Sequence, residues 1–163
     1  MDERIAELRD AITANYEDIR TLFDGLRDVD LAKVTASGRP LRKAAGHIVL
    51  SQAADVRVAR RLAAGKGADT PLLLQLVERI AGWRSMRLLS KAREIDLLAA
   101  WENSFNELFS CINDISAEPL DVSAASSEHD RTAALDYLRQ SPSRSREQAA
   151  ALRLAIATPA STA

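Results

Sequence analysis

Apolar residues recur at steps of three and four along most of the chain, a spacing that places them on one face of an α-helix. The first such stretch runs from Asp2 to Leu26 and begins with acidic residues, which suit the positive end of a helix dipole. Its apolar positions are Ile5, Leu8, Ile12, Tyr16, Ile19, Phe23 and Leu26. Gly25 and the polar run over residues 27–39 predict a loop after this helix.

A second helix is predicted from Pro40, whose fixed φ suits the first helical position, to about Ala64. Its apolar stripe consists of Leu41, Ala44, Ala45, Ile48, Val49, Val56, Ala59 and Leu62. His47 falls on the flank of this stripe, Asp55 falls inside it, and Ser51 lies between them on the same side. Because an unpaired buried charge is costly, Asp55 needs an ionic partner or a metal ion.

Two further helices are predicted in the middle of the chain. Thr70 and Pro71 form a helix start, and the apolar spacing after them predicts a helix over residues 71–88. A longer helix, with a strong core-facing pattern, is predicted over residues 94–116. The residues of that pattern are Ile95, Leu98, Trp101, Phe105, Leu108, Phe109, Ile112 and Ile115.

The last helical region follows a polar linker over residues 117–130. It is predicted to begin near Arg131, with Asp130 as its cap. Pro142 lacks the backbone N–H that a helix interior uses, so a break or kink is predicted near Gln140.

Four long helices and a subsidiary one, joined by polar loops, predict an all-α protein built as an antiparallel four-helix bundle. The composition agrees, because 47% of the 163 residues are apolar but only 4% are aromatic, and glycine and proline are scarce. We expect a single domain over residues 1–157 and a flexible tail over residues 158–163.

The near-neutral net charge of −1 hides two blocks of opposite sign. Residues 39–93 carry 12 basic and 3 acidic side chains, whereas residues 94–130 carry 9 acidic side chains and no lysine or arginine. A basic segment can bind nucleic acid, but the aromatic side chains that stack on bases are scarce here. We therefore expect the two blocks to face each other or solvent, and we expect no nucleic-acid partner.

Cys111 is the only cysteine, which excludes an internal disulfide and any metal site built from several cysteines. We expect this thiol to pack in the core, because the sequence offers no activating base beside it. The first ten residues lack the apolar core of a signal peptide, and no apolar run approaches the ~18 residues that span a bilayer. These features predict a cytoplasmic protein that has no membrane partner.

The motif PLRKAAGHIVL, at residues 40–50, resembles the helix-2 motif of the DinB-like superfamily. This superfamily includes the metal-binding domain of mycothiol-dependent maleylpyruvate isomerase and related bacterial thiol-dependent transferases. The resemblance covers nearly the whole chain and implies that His47 stands where the family has its first metal-ligating histidine. The family carries two more histidines, spaced H-x-x-x-H, on its last helix. The corresponding segment here is LRQSPSRSREQ, and Arg144 and Gln148 stand where those histidines would be.

The resemblance, with this departure from its motif, argues for the fold and against a standard histidine-rich metal site. An arginine stays protonated and only donates hydrogen bonds, so Arg144 would replace a divalent ion with a fixed single charge. We expect Arg144 to pair with Asp55 inside the bundle, and Gln148 offers only a weakly ligating carbonyl oxygen. No metal cofactor is expected; if one binds, zinc or nickel held by His47 with Asp55 or His129 is the alternative.

Two functions stay open from the sequence, and whether the protein is an enzyme is not decided. The first is a divergent relative of the thiol-dependent transferases that binds a small polar or anionic molecule in the bundle cleft. The candidate cleft residues are His47, Ser51, Asp55, Arg144 and Gln148. The second is a non-catalytic binding or stress-associated module, or a weak metal-binding protein that uses His47. A homodimer is expected.

Overall fold

A computed structural model describes residues 2–34, 38, 40–67, 84–85, 87–88, 91, 93–117 and 128–157. The regular elements of this part of the chain are all α-helices, which confirms the predicted fold class; the extended residues Val34 and Pro40 form only an isolated bridge. The helices are α1 (Asp2–Asp24), α2 (Asp28–Leu31), α3 (Leu41–Ala63), α4 (Glu94–Ser116), α5 (Glu128–Leu138) and α6 (Ser141–Ala157). None of these helices is long and apolar enough to cross a membrane.

The three longest helices begin and end within about two residues of their predicted limits, because each is amphipathic over its whole length. The predicted break near Gln140 is also present: α5 ends at Leu138, and α6 restarts at Ser141 with Pro142 in its first turn. The predicted helix over residues 71–88 lies outside the described residues, except for four helical residues near its end. The predicted tail lies outside them as well.

The segment predicted as a loop after α1 contains the short helix α2, which the sequence pattern did not reveal. Its organising residue is Asp30, whose carboxylate accepts hydrogen bonds from the backbone N–H and the Nε of Arg27, at 3.3 and 3.2 Å. The ammonium group of Lys33 lies 2.9 Å from the same carboxylate and 3.5 Å from the Ile156 carbonyl oxygen at the end of α6. The hydrogen bonds from Lys33 and Arg27 hold the pKa of Asp30 below its ordinary value.

Asp30→Asn is expected to destabilise the protein at neutral pH, because it removes the charge that Lys33 and Arg27 stabilise. A folded-state pKa below the unfolded value contributes stability that is present above the unfolded pKa and is lost as the pH falls through the folded pKa. The difference between variant and wild type should therefore shrink as the pH falls below about 4. Urea unfolding at neutral and acidic pH measures this difference in the free energy of unfolding. Asp28→Asn, at an exposed carboxylate of the same helix, is the control.

Two local predictions were wrong at helix starts. The last helical region begins at Glu128, so Asp130 lies within the first turn of α5 and not before it. In α4, Ile95 is 61% exposed, whereas Leu97 is fully buried. The buried stripe of α4 runs from Leu97 through Trp101 at helical steps, and Ile95 lies about 200° around the helix from Leu97.

The helices pack as a bundle in which α1 and α3 each touch both α4 and the α5–α6 arm. Two neighbouring pairs are antiparallel, α1 with α4 and α3 with α6. The contacts that fix these directions are Arg9–Asn113, Arg20–Glu102, Ser51–Gln148 and Asp55–Arg144. In each pair, a residue further along one helix meets a residue earlier in the other.

The other two neighbouring pairs are parallel, which corrects the prediction of an antiparallel bundle. The contacts that fix these directions are Gln52–Ser104 and Arg60–Asp114 between α3 and α4, and Glu7–Arg139 and Asp18–Arg153 between α1 and the α5–α6 arm. The physical reason is the connection over residues 64–93, which is long enough to return the chain to the end where α3 begins. The sequence pattern shows its length but not the direction in which it leads.

The buried side chains form two separate apolar clusters along the bundle. One, which we call the upper cluster, includes Phe23, Leu41 and Trp101 and lies where α1 ends and α3 begins. The other, the lower cluster, includes Leu8, Val56 and Leu108 and lies toward the start of α1. The two clusters hold four long elements together: α1, α3, α4 and the α5–α6 arm. They lie on either side of the candidate site described below.

Candidate functional site

The centre of the candidate site is an ion pair between α3 and α6. Arg144 Nη2 lies 3.0 Å from Asp55 Oδ1, as predicted from the need to neutralise a carboxylate on an apolar stripe. The Asp55 side chain is only 8% exposed, whereas the Arg144 side chain is 37% exposed. Nη2 approaches the carboxylate without the alignment of a hydrogen bond, so the contact is principally electrostatic. The pair links the apolar interior to the bundle surface.

Tyr137 of α5 completes a triangle with these two residues. Its hydroxyl donates to Asp55 Oδ1 at 3.3 Å and accepts a hydrogen bond from Arg144 Nη1 at 3.3 Å. The Arg144 guanidinium carbon also lies 4.8 Å from the centre of the Tyr137 ring, within range of a cation–π contact. The sequence prediction missed Tyr137. Its position seven residues before Arg144 would place the two on one side of a continuous helix, but the helix is broken between them, so the spacing alone gave no reliable signal.

Ser51 and Gln148 meet about one helical turn from the ion pair. The Ser51 hydroxyl lies 3.1 Å from Gln148 Oε1 and 2.9 Å from the Ile48 carbonyl oxygen, and its one proton serves either acceptor. Neither acceptor is a base that could activate the hydroxyl as a nucleophile. The contact therefore brings both predicted residues together between α3 and α6 as a neutral hydrogen-bonding pair.

The histidines lie apart from this cluster. His47, which the sequence places on the flank of the apolar stripe of α3, and His129 are both exposed. His129 lies near the end of α3, because the carboxylate of the next residue, Asp130, approaches Gly65 there. His47 lies near the start of α3, roughly 24 Å of helix from that end. The proposed set of His47, Asp55 and His129 is therefore not assembled.

Within the described part of the chain, no group of three or more histidine, cysteine, aspartate or glutamate side chains could hold a metal ion. The positions where the resemblance places two histidines carry Arg144, already paired with Asp55, and Gln148, already paired with Ser51. A cationic side chain in contact with the nearest carboxylate repels a divalent ion from that carboxylate. These residues do not fit a three-histidine metal site.

The guanidinium of Arg144 has more donors than its neighbours can use. Of its five N–H groups, Nη1 donates to Tyr137, while Nε is buried and has no hydrogen-bond partner. A buried donor without an acceptor costs about 1–3 kcal/mol, so a further acceptor at this guanidinium would be favourable. Because the side chain is 37% exposed, it can shift toward solvent to meet one.

Cys111 belongs to the core and not to the site. Its thiol is fully buried in the lower cluster, and Sγ lies 3.9 Å from the Val56 carbonyl oxygen. Burial raises the pKa of this thiol, which keeps it protonated at neutral pH and unreactive as a nucleophile.

The chemistry available at the site is thus a partly exposed arginine, a buried carboxylate, a tyrosine hydroxyl and a serine–glutamine pair, all on the α3–α6 side of the bundle. Comparisons of the chain with models of protein families, with curated proteins and with solved structures found no match.

Proposed function

We propose that this protein is a DinB-like bundle that binds a small anionic molecule, of the carboxylate class, at Arg144. It is a divergent relative of the thiol-dependent transferases in which a fixed cation stands in place of the metal ion. The motif at residues 40–50 supports the family, and the Arg144–Asp55 ion pair supports the replacement of the metal. We assign no reaction to it, because Ser51 has no activating base and Cys111 is buried.

The observation that carries the proposal is a partly exposed guanidinium held against the buried carboxylate of Asp55. Arg144 is 37% exposed, and its Nε has no hydrogen-bond acceptor. A carboxylate can take two parallel hydrogen bonds from a guanidinium edge, which provides geometric specificity as well as energy. Ser51 and Gln148, about one turn away along α3 and α6, offer neutral polar groups to the remainder of the ligand.

The position of Asp55 leads to a specific prediction about the binding of small carboxylates at Arg144. The carboxylate of Asp55 competes with a bound anion for the same guanidinium, so the wild-type protein should bind small carboxylates weakly. Asp55→Asn removes the competing charge, keeps the side-chain shape and should tighten binding by about tenfold, because a like charge near 4 Å costs roughly 1–4 kcal/mol. Arg144→Met should abolish binding.

Calorimetric titration with a panel of small mono- and dicarboxylates, beside their uncharged amides, tests the proposal. Arg153→Met is the matched control, because Arg153 is an exposed arginine on the same helix that pairs with Asp18. Equal responses to acids and amides, or binding that survives Arg144→Met, would remove Arg144 from the site. Absence of heat with every acid, in wild type and in Asp55→Asn, would favour the alternative of a non-catalytic module.

The remaining features of the proposal are expectations from the sequence. We expect a bacterial, cytoplasmic homodimer with neither nucleic acid nor membrane as a partner. A weak metal site at His47 is the alternative cofactor chemistry, and exposure of that side chain leaves it open to solvent ions. Elemental analysis of the purified protein decides that alternative.

A further inference from the structure

The two apolar clusters are separated by polar side chains at the middle of the bundle. Each of the four long elements contributes one, at the position where its apolar stripe would otherwise continue. These residues, which we call the polar layer, are Asn15 of α1, Gln52 of α3, Ser104 of α4 and Ser145 of α6. Their exposed fractions are only 3%, 1%, 5% and 1%. A polar residue from every long element at one level is unlike the rest of the interior.

Contacts between the helices place these residues at a common height. Ser104 Oγ lies 2.8 Å from Gln52 Oε1, which joins α3 to α4 directly. Trp101 Nε1 donates to the Tyr16 carbonyl oxygen at 3.3 Å, which aligns the residue after Asn15 with the turn of α4 that precedes Ser104. The Tyr16 ring stacks on Phe105, with 4.1 Å between ring centres. Asn15 and Ser104 therefore lie at the same level.

Ser145 is at this level for a similar reason. The contacts Ser51–Gln148 and Asp55–Arg144 between the antiparallel α3 and α6 place Ser145 within about two residues, roughly 3 Å along the axis, of Gln52. The next residue, Arg146, is exposed, whereas Ser145 is almost completely enclosed. The layer is thus closed by α6 on the side opposite α4.

Not every buried polar atom of the layer has a hydrogen-bond partner. Ser104 Oγ has two acceptors within reach, Gln52 Oε1 and the Trp101 carbonyl oxygen. Asn15 Oδ1 is buried and has no hydrogen-bond partner. Rotating the Asn15 amide would exchange this oxygen for an NH₂ group, which needs acceptors instead of donors, so the side chain requires a further partner in either orientation. Buried polar groups nearly always have one.

We propose that the polar layer binds one internal water molecule, which donates a hydrogen bond to Asn15 Oδ1. Water suits the layer because it donates and accepts, and an internal water usually makes two to four hydrogen bonds to buried polar groups. The layer is uncharged, so it favours a neutral guest over an ion.

This water would link α1 to the polar groups of α3, α4 and α6. A hydrogen-bonded layer inside an apolar bundle penalises any shift of one helix along another, because a shift would leave several polar groups unpaired. The layer therefore fixes the alignment of the four elements. It does so independently of any ligand at Arg144.

Water–protein NOE and ROE measurements on ¹⁵N-labelled protein test the proposal. The side-chain NH₂ protons of Asn15 should show NOE and ROE cross-peaks of opposite sign to water, which marks a long-lived internal molecule. The side-chain NH₂ protons of Asn103, an exposed residue of α4, are the internal control and should show only fast-exchanging water. Asn15→Leu should remove the long-lived signal from the layer while circular dichroism shows that the helices persist.

The wild-type spectrum alone can overturn the proposal, whether or not the leucine variant folds. If water contacts at Asn15 match those at Asn103 in sign and ratio, no long-lived water occupies the layer. A crystal structure gives a second measurement: a single density peak at hydrogen-bond distance from Asn15 supports water, and elongated density there would contradict it in favour of a larger guest.

Discussion

Arg144→Met is expected to lower the free energy of unfolding by about 2–3 kcal/mol, because it leaves the Asp55 carboxylate buried with only the Tyr137 hydroxyl as a partner. Removing one member of a fully buried ion pair costs about 3–5 kcal/mol. The lower figure here reflects solvent screening of Arg144, whose side chain is 37% exposed. Methionine keeps most of the apolar stem, so the loss reports the charge and not the packing.

Substitution of the other member of the ion pair, Asp55, should lower the free energy of unfolding by less. Asp55→Asn leaves Arg144 without its carboxylate, but an arginine that is 37% exposed can turn to water, and we expect a loss of about 1 kcal/mol. The double variant Asp55→Leu with Arg144→Met should recover much of the loss, because apolar groups often replace a buried ion pair at little cost. The single variant Asp55→Leu completes a double-mutant cycle with Arg144→Met, and we expect this cycle to show strong coupling between the two positions.

Urea unfolding followed by circular dichroism measures these values, with Arg153→Met as the control. That substitution breaks the Arg153–Asp18 ion pair, in which both side chains are 43% exposed, and should cost less than about 1 kcal/mol. Equal losses for Arg144→Met and Arg153→Met would show that burial of Asp55 does not make its pair stronger than a surface pair.

Much of the fold could be predicted from the sequence because its determinants are local. The limits of α1, α3 and α4 follow from amphipathic spacing, and the break between α5 and α6 follows from the missing N–H of Pro142. The directions of the helices could not be predicted, because they depend on where a long connection leads. Helix α2 was missed because it depends on contacts of Asp30, including one from Lys33, which also reaches the Ile156 carbonyl oxygen near the chain's other end.

The candidate site also has some features that could be predicted from the sequence and others that could not. The ion pair between Asp55 and Arg144 could be predicted because a carboxylate on an apolar stripe needs a cation. The segment LRQSPSRSREQ, which was compared with the last-helix motif of the DinB-like superfamily, offers Arg144 as that cation. The role of Tyr137 could not, because it depends on how α5 and α6 are joined. The exposure of His47 was missed because a residue on the flank of a stripe can turn either toward a neighbouring helix or to solvent.

The second large effect concerns metal binding. Arg144→His together with Gln148→His is expected to create a zinc or nickel site that the wild-type protein lacks. The two positions are four residues apart on α6, so two imidazoles there would face the same side. Arg144 already reaches Asp55 at 3.0 Å, and its removal frees that carboxylate to ligate. Two histidines and a carboxylate are an established ligand set for zinc, with a further position open.

Equilibrium dialysis with elemental analysis should find about one metal ion per chain in this double variant. Adding Asp55→Asn should weaken the affinity by at least about tenfold, whereas adding His47→Ala should change it little, because His47 is exposed and lies about two turns from Asp55. Arg146→His with Ala150→His, which has the same spacing on an exposed face of α6, is the control for metal binding by any histidine pair. A folded double variant that binds no metal would show that the last helix is wrongly aligned with the family motif. Binding that depends on His47 and not on Asp55 would contradict the prediction that Asp55 supplies the ligand from α3.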